Sequence, residues 1–233
     1  MSKKIIYIDP GHGGLDAGAT NNKRYEKNDN LKMSFAVRDK LLAQGYTVLL
    51  TRETDSANPS LEARIGAANA AGADFFLSLH RNSFTSSTAK GIEIWARYNN
   101  HVAAATTVLE AVAEIPHQAN RGVKIGAYRV LYNAKMPAML LELGFISNAK
   151  DNELFDTHFD KYATAIAQGI LTALGEAWSE SGKEAAIENK PLYRVQVGAF
   201  GVKTNAEAFL KTVKEMGLSA FIVMTEATKE EGH

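Results

Sequence analysis

The stretch Ile5–Gly18 reads IIYIDPGHGGLDAG. A short apolar run, Ile5 to Ile8, empties into Asp9-Pro10 and then into a histidine set between glycines, Gly11-His12-Gly13-Gly14. Three readings compete. Pro and Gly end strands, so the histidine can be an incidental loop residue. A glycine-rich loop after a strand can also cradle phosphate, but the spacing refuses this. Glycine is needed at the first, third and sixth positions; the sixth from Gly11 is Asp16, and no Gly-Lys-Ser/Thr follows. The third reading is a metal ligand, the glycines freeing the backbone around an imidazole that points from a strand end into a cleft. The choice depends on what the rest of the chain brings to the same place.

Outward from this strand the chain alternates. Strand patterns at Lys4–Ile8, Thr47–Leu50, Phe75–Leu79, Gly91–Ala96, Tyr128–Leu131 and Ala138–Leu143 are separated by helical patterns at Leu31–Gln44, Leu61–Ala71, Val102–Ile115 and Phe159–Trp178. Ser60 is a good N-cap for the second helix, and glycines (Gly45, Gly72) stop the first two. The order predicts an α/β domain: a mixed, largely parallel sheet flanked by helices. After Trp178 the composition shifts. Residues 179–190, SESGKEAAIENK, read as a polar linker. Beyond it lies a small strand–helix–strand unit within residues 191–225. Its strands are Tyr193–Phe200 and Ala220–Met224, its helix runs from about Asn205 to Met216, and a polar tail (226–233) follows that frays. The expected division is therefore 1–178, 179–190, 191–225 and 226–233.

Composition removes several functions. The 233 residues carry 26 basic and 26 acidic side chains, and residues 1–178 are balanced too, with 19 and 18. No basic field is available for nucleic acid. There are no cysteines, which excludes disulfides, Cys-rich zinc sites and Cys nucleophiles. No apolar stretch approaches ~20 residues, so no spanning helix and no membrane partner are expected. The first apolar run is too short for the core of a signal peptide, so the expectation is synthesis and retention in the cytoplasm until another event releases the protein.

Two of the six histidines share a placement. His12 and His80 each close a predicted buried strand, and functional groups gather at the carboxyl ends of strands in open α/β sheets. Glu142 lies inside the apolar strand of PAMLLELGFISN, where an ionised carboxylate is costly unless paired or bound to metal. Glu26, in RYEKNDNL, is unremarkable alone. Together His12, Glu26 and His80 have the composition of a catalytic zinc shell, with Glu142 as the second carboxylate that moves protons. Separations of 14, 54 and 62 residues are unlike the helix-borne H-E-x-x-H site, and no G-x-S-x-G occurs.

The ordered motifs DPGHGG, EKNDNL, LTRETD, SLHRNS and LELGFISN resemble the zinc-dependent N-acetylmuramoyl-L-alanine amidases of the Amidase_3 type over roughly Lys4 to Trp178. The resemblance implies that His12, Glu26 and His80 hold one Zn²⁺ and that Glu142 is catalytic. It implies hydrolysis of the amide between N-acetylmuramic acid and L-alanine in peptidoglycan. The alternatives are a zinc peptidase or deacetylase on another wall amide, or a non-catalytic wall-binding protein. The residue after the second histidine is more often small in that family; here it is Arg81, whose cation either binds substrate or points to solvent. The signature YRVQVGAF resembles a SPOR domain, the peptidoglycan-binding module, of which this chain shows one strand–helix–strand half where a full domain has two. A lone half leaves an open sheet edge, so a homodimer completed through residues after about Lys190 is expected. The resemblance fits either a phage endolysin or an enzyme of sporulation.

Overall fold

The computed structural model describes residues 4–179 and 200–215, and the chain divides into two units, Met1–Asn189 and Lys190–His233. The first is built on a six-stranded sheet ordered β4-β1-β5-β8-β6-β7. Its strands are β1 (Ile5–Pro10), β4 (Thr47–Leu50), β5 (Phe75–Asn82), β6 (Ile92–Ala96), β7 (Asn120–Ile125) and β8 (Ala138–Phe145). A two-residue hairpin, β2 (Thr20–Asn21) with β3 (Arg24–Tyr25), stands apart. Strands β4, β1, β5 and β8 are mutually parallel; β6 runs antiparallel to β8, and β7 parallel to β6.

The two faces of the sheet follow from the two-residue period of its strands. Ile6, Ile8, Phe75, Leu77, Leu79, Met139 and Leu141 face one core. There they meet α1 (Glu26–Ala43), α3 (Val102–Ala113) and α5 (Phe159–Ala173). Each helix offers an apolar stripe at helical spacing, such as Met33-Val37-Leu41 on α1 and Tyr162-Ile166-Ile170 on α5. Tyr7, Phe76, Ala138 and Leu140 face the other way, toward α2 (Leu61–Ala70) and a 3₁₀ turn at Arg129–Leu131. Being apolar on both faces, the central strands read as continuous hydrophobic runs.

The expected α/β architecture holds, with α5 ending at Ala173 rather than Trp178 and four further corrections to its elements. Tyr128–Leu131, expected as a strand, holds the 3₁₀ turn, whose Val130 and Leu131 cap the second core. The missing strand is β7, NRGVKI, a half-exposed edge strand whose polar residues hide its period. Helix α1 begins at Glu26 rather than Leu31: Glu26 and Asp29 in its first turn suit the positive end of the helix dipole. A helix not expected, α4 (Ala149–Thr157), starts at Asn148, whose side chain accepts a hydrogen bond from the Asp151 amide. Ser60 does cap α2, accepting from Ala63 N at 3.2 Å. In the second unit, α6 (Lys203–Glu215) falls on the expected helix; the expected strands Tyr193–Phe200 and Ala220–Met224, the linker beyond Ser179 and the tail lie outside the described residues, Phe200 excepted.

Candidate active site

The loop after β1 is fixed from beneath. Asp9, buried at the strand end, takes hydrogen bonds from Thr51 and Ser78 and an ion pair from Arg64 on α2 at 2.7 Å. Arg64 also donates to the carbonyls of Pro10 and His12. Arg52 donates to the carbonyls of Pro10, Gly11 and Lys27, stitching the loop to the first turn of α1. The backbone needs this support, because His12 sits at φ +62°, a left-handed conformation uncommon for a residue with a Cβ. Gly11 is required by close approach: a Cβ there would lie 2.3 Å from the His80 ring. Gly18, at φ +66°, would place a Cβ 2.6 Å from the His12 ring.

Three elements then converge. His12 leaves β1, His80 stands near the end of β5, and Glu26 opens α1. Glu26 Oε1 lies 3.2 Å from His12 Nε2 and 2.9 Å from His80 Nδ1. One ligand atom from each of the three lies within 4.8 Å of the others. The second nitrogen of His12 is held by Asp16 Oδ2 at 2.8 Å, and Glu26 Oε2 accepts from Ala19 N. Such outer contacts fix ring orientation and ligand basicity in metal sites. Burial opposes a charged His12, but Glu26 and Asp16 outweigh it and carry its pKa up to about 9. Burial likewise works against the Glu26 carboxylate, yet hydrogen bonds from His12 and His80 hold it far below the ordinary carboxylate range.

Glu142 completes the group from β8, paired in register with His80. It is 8% exposed, and its Oε2 has no hydrogen-bond partner among the described residues. Burial pushes its pKa up to about 7; Glu26 and Glu93 add to the rise, and the two histidines oppose it. Beside these four residues a cleft of about 310 Å³ opens, its far wall formed by Tyr128, Arg129 and Leu61. An unpaired buried carboxylate facing an open cleft is poised for proton transfer rather than for stability.

The Arg81 side chain does not point to solvent, and that expectation is corrected. It lies one residue past His80, so the period of β5 turns it to the opposite face of the sheet. Its side chain is fully buried, paired with Asp29 at 2.7 Å, bonded to Asn152 and stacked over Phe155. Only its backbone serves the site, donating N–H to Glu26 Oε1. The residues that sequence reasoning left aside are Asp16, Arg52, Arg64 and Glu93. Arg52 belongs to the LTRETD motif, one of those that carry the family resemblance; Asp16 lies four residues beyond His12 in the opening stretch.

Residues 6–172 match the N-acetylmuramoyl-L-alanine amidase family. The chain belongs to that family. Residues 166–224 match the SPOR domain, a match that begins inside α5, where Ile166, Ile170 and Leu171 lie in the first core. N-acetylmuramoyl-L-alanine amidase CwlM of Bacillus licheniformis is 35% identical over 228 residues, covering 95% of this chain and 85% of the relative. The sporulation-specific N-acetylmuramoyl-L-alanine amidase of Bacillus subtilis shows the same identity and coverage. Among solved structures, the catalytic domain of CwlV from Bacillus (Paenibacillus) polymyxa var. colistinus aligns with a TM-score of 0.70 at 36% identity. That alignment covers 75% of this chain and 99% of the CwlV domain. The amidase fold thus accounts for the sheet and the helices around it.

Proposed function

We propose that the protein is a zinc-dependent peptidoglycan hydrolase that cleaves the amide between N-acetylmuramic acid and L-alanine. The observation that carries this is the unpartnered Glu142 carboxyl, side by side with His80 and opening on the cleft shared with His12 and Glu26. The donor set fits zinc: two imidazoles and one carboxylate on a single focus, one imidazole backed by Asp16. His12, Glu26 and His80 would hold the ion, which when bound supplies a Lewis acid for the amide carbonyl and acidifies water. The chain's own part is proton transfer and positioning. Glu142 takes a proton from the attacking water as its oxygen bonds to the lactyl carbonyl carbon. It then gives that proton to the L-alanine nitrogen as the C–N bond breaks, leaving a lactyl carboxylate and a free amine. Burial raises its proton affinity, which favours taking the proton from water in the first step. Asp16 keeps the His12 ring oriented, and Arg52 and Arg64 keep the loop that presents it.

The division of labour is a catalytic domain at residues 1–178, a linker at 179–190, a wall-binding SPOR-like module at 191–225 and a tail at 226–233. The single strand–helix–strand pattern after Lys190 supports a homodimer joined there. Similarity to the sporulation-specific enzyme of Bacillus subtilis supports action on the wall during sporulation or lysis, as does the SPOR match. Digestion of purified walls tests the reading by the new end group. Free L-alanine amines are expected; new amines of another residue, or deacetylated sugars, would assign a different amide.

A further inference from the structure

Next to Glu142 on the site-bearing face of the sheet stands a second buried carboxylate. Glu93 of β6 pairs in register with Glu142 and is 3% exposed. Its Oε1 accepts from Asn82 and Trp95, and its Oε2 from Arg121 Nε and Lys124 Nζ, both at 2.6 Å. With hydrogen bonds from Lys124 and Arg121 outweighing its burial, Glu93 is held below its ordinary pKa and stays a carboxylate. One negative charge thus gathers two positive ones, leaving the group at net +1 in a chain whose formal charges sum to zero. Both cations remain open to solvent, Arg121 by 38% and Lys124 by 32% of the side chain. Lys124 also lies over the Trp95 ring, 5.0 Å from its centroid. Glu93 fixes one N–H of each cation, Arg121 Nη1 reaches the Lys90 carbonyl at 3.5 Å, and the remaining N–H groups on these partly exposed side chains are left for a ligand.

We infer that Arg121 and Lys124 form a carboxylate-binding subsite for the stem peptide of the substrate, an inference that rests on the amidase reading above. Strands β8, β6 and β7 lie side by side, so the cations, on β7 and drawn back to Glu93 on β6, stand one to two strand spacings, about 5–10 Å, from Glu142. An extended peptide covers about 7 Å in two residues, which brings a free carboxylate on the second residue of the stem within their reach. Holding two cations with a buried anion preorganises them, so that the substrate does not pay to order long side chains. The Trp95–Tyr128 pair, with centroids 5.2 Å apart, gives the peptide backbone an apolar surface alongside.

Two muramoyl pentapeptides that differ only at the second residue, carrying a free α-carboxylate or its carboxamide, test this directly on the full chain. Wild type should cleave the carboxylate with about tenfold or greater advantage in kcat/KM, carried mainly by KM, as charge-assisted hydrogen bonds give. In the double variant Arg121→Met/Lys124→Met the ratio of the two rates should fall toward one, and Lys124→Arg should keep most of the preference. The ratio is taken within one preparation, so any loss of folded protein cancels. Equal cleavage of both compounds by wild type, or a preference that survives the double variant, overturns the subsite while leaving the amidase reading intact. Cleavage of neither compound overturns both.

Discussion

At the scale of a residue, the proton transfer proposed for Glu142 meets two opposed demands, since a buried carboxyl holds its proton and resists ionisation. In the metal-free protein its folded pKa of about 7 exceeds the ordinary value of 4.5. A raised folded pKa means that its contribution is complete below about pH 4.5 and is lost as the pH rises through about 7, by on the order of 3 kcal/mol. Glu142→Gln does not titrate. Metal-free Glu142→Gln should therefore gain stability over metal-free wild type between about pH 4.5 and 7, and the gap should be level above that. Urea unfolding across this range checks it; a gap independent of pH would show that Glu142 ionises freely. His12, whose pKa is raised to about 9, loses its own contribution between about pH 6.5 and 9 in both proteins, leaving in the difference only its interaction with Glu142.

At the scale of an element, the site depends on how β1 is tied to α2 and α1. The Asp9–Arg64 pair is almost fully buried on both sides. Removing one partner strands the other charge, which costs about 3–5 kcal/mol. Arg64→Met should lose that much in chemical denaturation, whereas Asp9→Asn/Arg64→Met should recover part of it; equal losses in the two would mean that the pair adds nothing. What the sequence disclosed about these elements follows from burial. Strands β1, β5 and β8 are apolar on both faces and stand out as unbroken runs, so His12, His80 and Glu142 were conspicuous at or near their ends. Glu26 was not, because an acid in a polar helix start is unexceptional, and only its company and the family motif gave it a role. The edge strand β7 went unseen because its polar residues face solvent. Glu93, alternating with Ile92 and Ile94, carried no signal in the sequence, and its four donors keep it buried.

At the scale of the whole molecule, the proposed division puts chemistry and wall recognition on different stretches of chain. Truncation after Trp178 should leave a folded domain that cleaves soluble muropeptides at the full-length rate but sediments less with walls and lyses them more slowly. Equal wall binding by both forms would remove the SPOR-like module from the account. Light scattering on the same two proteins should find the full chain dimeric and the truncated form monomeric, and a full chain that stays monomeric at high micromolar concentration would rule out the dimer. The central claim, that His12, Glu26 and His80 hold the metal while Glu142 moves the proton, is tested most directly by zinc content and turnover measured together. His80→Ala should lose both. Glu142→Gln should keep one zinc per chain and lose about 10²-fold or more in turnover on a muramoyl peptide. Near-normal turnover in zinc-loaded Glu142→Gln, or full zinc in His80→Ala, would contradict it.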